Sequence, residues 1–150
     1  MKVSLKATYG ILAALDLALN NGTLPVQSKA IAKRQAIPIR FLEQVLLAMK
    51  KAGIVDSLRG VQGGYILRKP AADISLAEIV EALDGSLMPK PVHATGTRHT
   101  QGRSRPEQLL GAIWERVRQA ELDVLNAVTL RELAERHQQF EQQRALMYHI

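Results

Sequence analysis

The segment that most restricts how this chain folds is residues 54–68. Ile54–Leu58 and Gly64–Arg68 read as two short strands, and between them lies Arg59-Gly60-Val61-Gln62-Gly63. A glycine-rich tip of this kind turns easily, so the pair forms a hairpin, which Pro70 ends. Three helical segments come before it. Ser4 is placed to cap the first, from Leu5 to about Asn20, with Leu5, Tyr9, Leu12, Leu15 and Leu19 spaced by three and four along one face. Asn20-Asn21-Gly22 ends that helix, Gly22 supplying the left-handed position. After the extended link Thr23-Leu24-Pro25-Val26, Ser28 opens a short second helix, Lys29–Arg34, with Ile31 pointing inward. Gln35-Ala36-Ile37 is the turn. Pro38 is suited to the first position of a third helix, where its missing N–H costs nothing, and that helix runs to about Ala52 and stops at Gly53.

Beyond the hairpin, Ser75-Leu76-Ala77-Glu78 has the form of a capping box. The helix behind it carries Leu76, Ile79, Val80 and Leu83 and ends at Gly85. Residues 86–106 change character: prolines, glycines, threonines, His93, His99 and arginines, with almost no large apolar side chains, predict a long flexible loop. From about Pro106 to Ala127, Leu110, Ile113, Val117, Ala120, Val124 and Ala127 recur at 3-4-3-4-3, the spacing of a coiled-coil seam. Thr129-Leu130-Arg131-Glu132 is a second capping box and opens a final helix. The expected organisation is therefore residues 1–85 as one domain, 86–106 as a loop, and 107–150 as a dimerisation helix with a C-terminal helix and tail.

Composition narrows the function classes. The chain has no cysteine, which excludes disulfides, thiolate zinc sites, cysteine nucleophiles and cysteine-ligated iron–sulfur clusters. No apolar run reaches the ~18–20 residues of a membrane span. The first residues run straight into a periodic segment, so no signal peptide is expected and the compartment is the cytoplasm. Net charge is +6, but residues 1–70 hold 11 Lys and Arg against 3 Asp and Glu, and residues 71–150 hold 9 against 11. A basic first half joined to an acidic-leaning second half fits a polyanion-binding module coupled to another task. Catalysis has no foothold: Asp73, Glu78, Glu81 and Asp84 sit where caps and solvated faces would put them. The glycine string lacks the Lys-Ser/Thr and the helix of a phosphate loop.

Three short helices followed by a hairpin is the element order of a winged helix-turn-helix. The predicted fold is thus mainly α with a small β-hairpin wing, plus a long dimerisation helix. In the third helix Leu42, Val45, Leu46 and Met49 form the ridge that packs inward. Arg40, Gln44, Leu47 and Lys51 lie opposite, with Glu43 at the flank. Arginine and glutamine match guanine and adenine edges in the major groove. Arg59 sits on the glycine-rich tip with Gly60, Gly63, Gly64 and the adjoining Tyr65, which suits insertion of a guanidinium into a narrow minor groove. Lys29, at the start of the second helix, suits a phosphate.

Several strings then carry a resemblance. They are Ser4-Leu5-Lys6-Ala7-Thr8-Tyr9-Gly10, Ile31-Ala32-Lys33-Arg34-Gln35-Ala36-Ile37-Pro38, Phe41-Leu42-Glu43-Gln44-Val45-Leu46, and Gly53 through Leu67. Ile74-Ser75-Leu76-Ala77-Glu78-Ile79, Trp114 and Val128 through Leu133 continue it. Together they resemble the Rrf2 family of bacterial transcription regulators, outside residues 86–106 and the tail. The resemblance implies a homodimer on a pseudo-palindromic operator, with the 107–127 helix crossing its twin along Leu110, Ile113, Val117, Ala120 and Val124. It implies Arg40, Glu43 and Gln44 at the major groove and Arg59 in the minor groove.

Many members of the family hold an iron–sulfur cluster through three cysteines in the loop before the long helix; here that loop has none. The chain is more similar to the cluster-free branch that represses cysteine metabolism, through Ser86-Leu87-Met88-Pro89 and the tail Met147-Tyr148-His149-Ile150. In that branch the implied partner is O-acetylserine sulfhydrylase (cysteine synthase), with Tyr148, His149 and Ile150 as the docking segment. No metal and no cofactor are expected. Two alternatives remain at this stage: a winged-helix protein-interaction adaptor, and a metal-responsive regulator using His93 and His99.

Overall fold

The computed structural model describes residues 2–20, 24–87 and 105–149. The order of elements is α1 (Leu5–Leu19), α2 (Ser28–Gln35), α3 (Ile39–Lys51), β1 (Val55–Leu58), β2 (Gly64–Leu67), a 3-10 turn (Ala71–Asp73), α4 (Leu76–Asp84), α5 (Arg105–Ala127) and α6 (Leu130–Met147). The fold is mostly helical, with one antiparallel hairpin in which Val55 faces Leu67 and Leu58 faces Gly64. The position expected of Gly22 and most of the expected 86–106 loop, with both its histidines, lie outside the described residues; Arg105 and Pro106 belong to α5.

Three boundaries shift. Ser28 is the first helical residue of α2, and Gln27 stands at the cap position without a side-chain cap bond. Pro38 caps α3 from outside, in extended backbone, one residue before the helix begins. The strands lose Ile54 and Arg68 from their outer ends, though Arg68 N still donates to Ile54 O at 2.9 Å. The three side-chain caps form as expected. Ser4 Oγ accepts from Ala7 N, Ser75 Oγ from Glu78 N, and Thr129 Oγ1 from Glu132 N, each a contribution of about 1 kcal/mol. Ser4 also donates through Oγ to Asp84 Oδ1, so the start of α1 is fastened to the end of α4.

The inward face of α1 is not the leucine stripe. Ala7, Gly10, Ala13, Ala14, Asp16 and Leu17 are buried, whereas Leu5 is exposed and Tyr9, Leu12, Leu15 and Leu19 are half-buried. The reason is close approach. A Cβ on Gly10 would stand 2.0 Å from Leu83 Cδ1, so α4 packs directly on the backbone of α1. A helix crossed this closely needs small residues at the crossing, and its larger side chains pack at the margins against the same core.

The core joins Leu17 of α1, Ile31 of α2, Leu42, Val45, Leu46 and Met49 of α3, Ile54, Val55 and Leu67 of the hairpin region, and Ile79, Val80 and Leu83 of α4. Leu130, the first residue of α6, is fully buried among them. Its position follows from a short stitch. Ser75 and Thr129 form an antiparallel bridge, Leu76 N donating to Val128 O at 3.0 Å and Leu130 N to Ile74 O at 2.8 Å. The two capping boxes recognised in the sequence are thus neighbours in space, and the junction between α5 and α6 is anchored where α4 begins.

Candidate nucleic-acid interface

α2 and α3 are set at their angle by two features. Ala36, between them, adopts left-handed backbone with φ 52°, the only non-glycine residue among those described to do so. Ile37 then turns inward, 3% exposed, its N–H donating to Ala32 O at 3.0 Å. The second feature is Asp16, a carboxylate only 2% exposed in the last turn of α1. Arg34 grips it with both arms, Nη2 to Oδ1 at 2.7 Å and Nε to Oδ2 at 2.9 Å. Gln35 Nε2 donates to Oδ2 at 2.9 Å. The Asp16 hydrogen bond raises the Arg34 guanidinium above its ordinary pKa, burial opposing it. Asn20 Nδ2 donates to the Asp16 backbone carbonyl at 2.8 Å. The last two residues of α2 are therefore tied to α1 just before the turn that aims α3. Sequence reasoning did not find Asp16. A single acid in a helix reads as solvated, and its partners lie 18 and 19 residues away.

With α2 fixed, α3 presents what its periodicity predicts. Leu42, Val45, Leu46 and Met49 are fully buried, while Arg40, Glu43, Gln44, Leu47 and Lys51 are exposed on the other side. Lys29, second residue of α2, is also exposed. Lys50, next to Lys51, turns instead to the hairpin, its ammonium donating to Ser57 Oγ of β1.

The wing is held by more than its own two strands. Val26, in the link before α2, bridges Tyr65: Val26 N donates to Tyr65 O at 3.0 Å and Tyr65 N to Val26 O at 2.8 Å. This rung explains Gly64, which has φ +151°. A Cβ there would stand 2.5 Å from the Val26 carbonyl, so any side chain would push the Val26 segment away. Gly63 is likewise required by the turn, its absent Cβ meeting Leu58 O at 2.2 Å. The hairpin itself thus accounts for these two glycines, and Tyr65 is half-buried against the core. Arg59 and Gly60 are exposed at the tip, with Val61 beside them at 95%. The structure therefore collects Lys29, the outer stripe of α3 and Arg59 onto one α2–α3–wing unit, with Gly63, Gly64 and Tyr65 as its frame.

The second predicted surface lies on α5. Leu110, Ile113, Val117, Ala120 and Val124 are all exposed, and no residue of this helix is buried. Leu109 and Trp114, which the seam did not include, widen the apolar band, and Phe140 adds an exposed ring on α6. At the end of α6, Leu146, Met147 and Tyr148 are exposed, as is His149; Ile150 lies outside the described residues.

No group of three or more His, Asp or Glu side chains is arranged to hold a metal ion among the described residues. No described helix is long and apolar enough to cross a membrane.

Comparison with known proteins agrees with this geometry. Residues 3–136 match the Rrf2 family, described as an iron-dependent transcriptional regulator. IscR of Klebsiella pneumoniae, an HTH-type transcriptional regulator, is 36% identical over 133 residues, covering 89% of this chain and 79% of that protein. Among solved structures, CymR, the global cysteine regulator of B. subtilis, superposes with a TM-score of 0.75. It has 30% identity over 90% of this chain and 97% of its own. IscR of T. potens gives a TM-score of 0.74 with 34% identity, covering 91% of this chain and 88% of its own. The iron in the family description finds no thiolate here. A chain without cysteine offers no sulfur ligand for an iron–sulfur cluster, so the donor set does not fit that group.

Proposed function

Since the chain belongs to the Rrf2 family of transcriptional regulators, we propose that it acts in the cytoplasm as a homodimer on a pseudo-palindromic operator, without an iron–sulfur cluster. Arg40, Glu43, Gln44 and Lys51 face the major groove, Arg59 and Gly60 enter the minor groove, and Lys29 meets a phosphate. The observation that carries this reading is the pairing, within the α2–α3–wing segment, of an exposed Arg/Gln stripe on α3 with an exposed arginine at the wing tip. A two-fold dimer presents two such units, which is why the operator is palindromic. The apolar band of α5, with Leu110, Ile113, Val117, Ala120 and Val124 on it, supports the dimer. Left in water, such a band has no reason to persist on a helix with no buried residue.

The regulated pathway is cysteine metabolism, with repression as its mode. Two observations support it: likeness to CymR, named for global cysteine regulation, and absence of the cysteines that a cluster needs. Its signal arrives through O-acetylserine sulfhydrylase, which takes Tyr148, His149 and Ile150; the exposed Leu146, Met147 and Tyr148 at the end of α6 support a docking tail.

The test is a gel shift with duplexes selected from a random pool by the full-length chain. Binding should be specific, should fall steeply with salt, and should map to a symmetric site. Equal affinity for unrelated duplexes would refute the operator reading. A pull-down of the sulfhydrylase by the full-length chain, lost on deletion of Ile150, checks the partner separately. Capture unaffected by that deletion, or none at all, would refute the tail.

A further inference from the structure

Leu47 stands at the crest of the outer face of α3. At 100° per residue, Leu42, Val45, Leu46 and Met49 define one side of the helix. Leu47 points within about 30° of the opposite direction, on the stripe of Arg40, Gln44 and Lys51. Its exposure is 51%, against 0% for each of those four ridge residues, and it is not among the partly buried residues packed on the core. The other exposed apolar side chains of α3 have local accounts. The Phe41 ring meets Tyr9 edge-on, centroids 6.0 Å apart, and Ile39 is the first residue of the helix. Leu47 has no such contact, and Glu43 precedes it by one turn while Lys51 follows it by one.

An aliphatic side chain set among a guanidinium, an amide and an ammonium matches one feature of the major groove. The pattern that distinguishes the base pairs there consists of hydrogen-bond donors and acceptors and one apolar group that projects into the groove, the C5 methyl of thymine. We propose that Leu47 is a specificity-determining residue that packs on a thymine methyl, beside base edges bonded by Arg40 and Gln44. The inference rests on the placement of α3 in the major groove.

The experiment takes a duplex selected by the full-length chain and replaces each thymine in turn by deoxyuridine, which lacks only the methyl. Uracil should weaken binding at one symmetric pair of positions, by about fourfold per half-site, the value of one buried carbon. Leu47→Ala should bind the thymine and uracil duplexes alike, and Leu47→Met should restore the preference for thymine. Arg40→Ala and Gln44→Ala should lose affinity for both duplexes. If those two variants lose binding but no thymine is sensitive, or Leu47→Ala still discriminates uracil, the methyl contact is overturned while α3 remains in the groove. If Arg40→Ala and Gln44→Ala bind as the unaltered chain does, the placement of α3 fails and the inference falls with it.

Discussion

α3 spans 13 residues and buries four large side chains completely; α5 spans 23 and buries none. Both carry apolar residues at helical spacing, which in α3 predict a ridge packed inward and in α5 a seam for a second copy. The difference lies in what surrounds them. α3 sits against α1, α4 and the hairpin, so its ridge is covered by its own chain and its polar stripe is left exposed. α5 touches the rest of the chain through α4 near its C-terminal end, and its band faces outward. One helix is completed by folding; the other, in the proposed dimer, is completed by association.

The sharpest way to break that contrast is Val117→Glu. A charge repeated across a two-fold axis should convert dimers to monomers by light scattering and lower operator affinity more than about a hundredfold, since the two half-sites no longer bind together. A stable dimer would mean that the band serves something other than a second copy. Leu46→Ala addresses the other helix. It should cost about 2–5 kcal/mol in urea unfolding, as expected for a buried leucine, whereas an α5 truncation such as Ile113→Ala should cost the isolated monomer almost nothing.

Arg59→Ala should leave both stability and dimerisation in place and weaken specific binding by about 1–3 kcal/mol; unchanged affinity in a titration would take the wing out of recognition. The smallest effect belongs to the turn. Ala36 holds a left-handed conformation that glycine adopts at no steric cost, so Ala36→Gly should gain about 0.5–1 kcal/mol after its larger unfolded-state entropy is counted. A loss in thermal unfolding would show that the Ala36 methyl is packed rather than strained.

The parts of the fold visible in the sequence are those set by neighbours a few residues away. Ser4, Ser75 and Thr129 cap their helices because the donor they accept from is three residues on. The ridge of α3 and the hairpin follow from periodicity and glycine placement. What stayed hidden depends on long-range contact. Gly10 marks a helix crossing only once Leu83 is known to arrive there. The larger leucines of α1 suggested the wrong face because hydrophobic size and burial diverge at such a crossing. Asp16 becomes legible only with Arg34 and Gln35 in place. Gly63 and Gly64 show in the sequence only as a glycine-rich tip; that the backbone of Leu58 and Val26 stands where their Cβ atoms would be depends on the folded hairpin. In the candidate site, Arg40, Gln44 and Arg59 were accessible to sequence reasoning because exposure on an amphipathic helix or a loop tip is a local property.

The stitch between Ser75 and Thr129 also has a mechanical side. α5 is about 35 Å long at 1.5 Å per residue, and it is rooted at the two peptide hydrogen bonds that join Val128 and Leu130 to the start of α4. That root is a fulcrum and the helix its arm: a tilt of about 5° moves the far end by about 3 Å. In a dimer paired along these arms, the distance between the two reading heads is set by the angle at the fulcrum. On the proposed operator, half-site spacing can therefore drift through changes at residues 74–76 and 128–130, none of which belongs to the proposed DNA-reading surface.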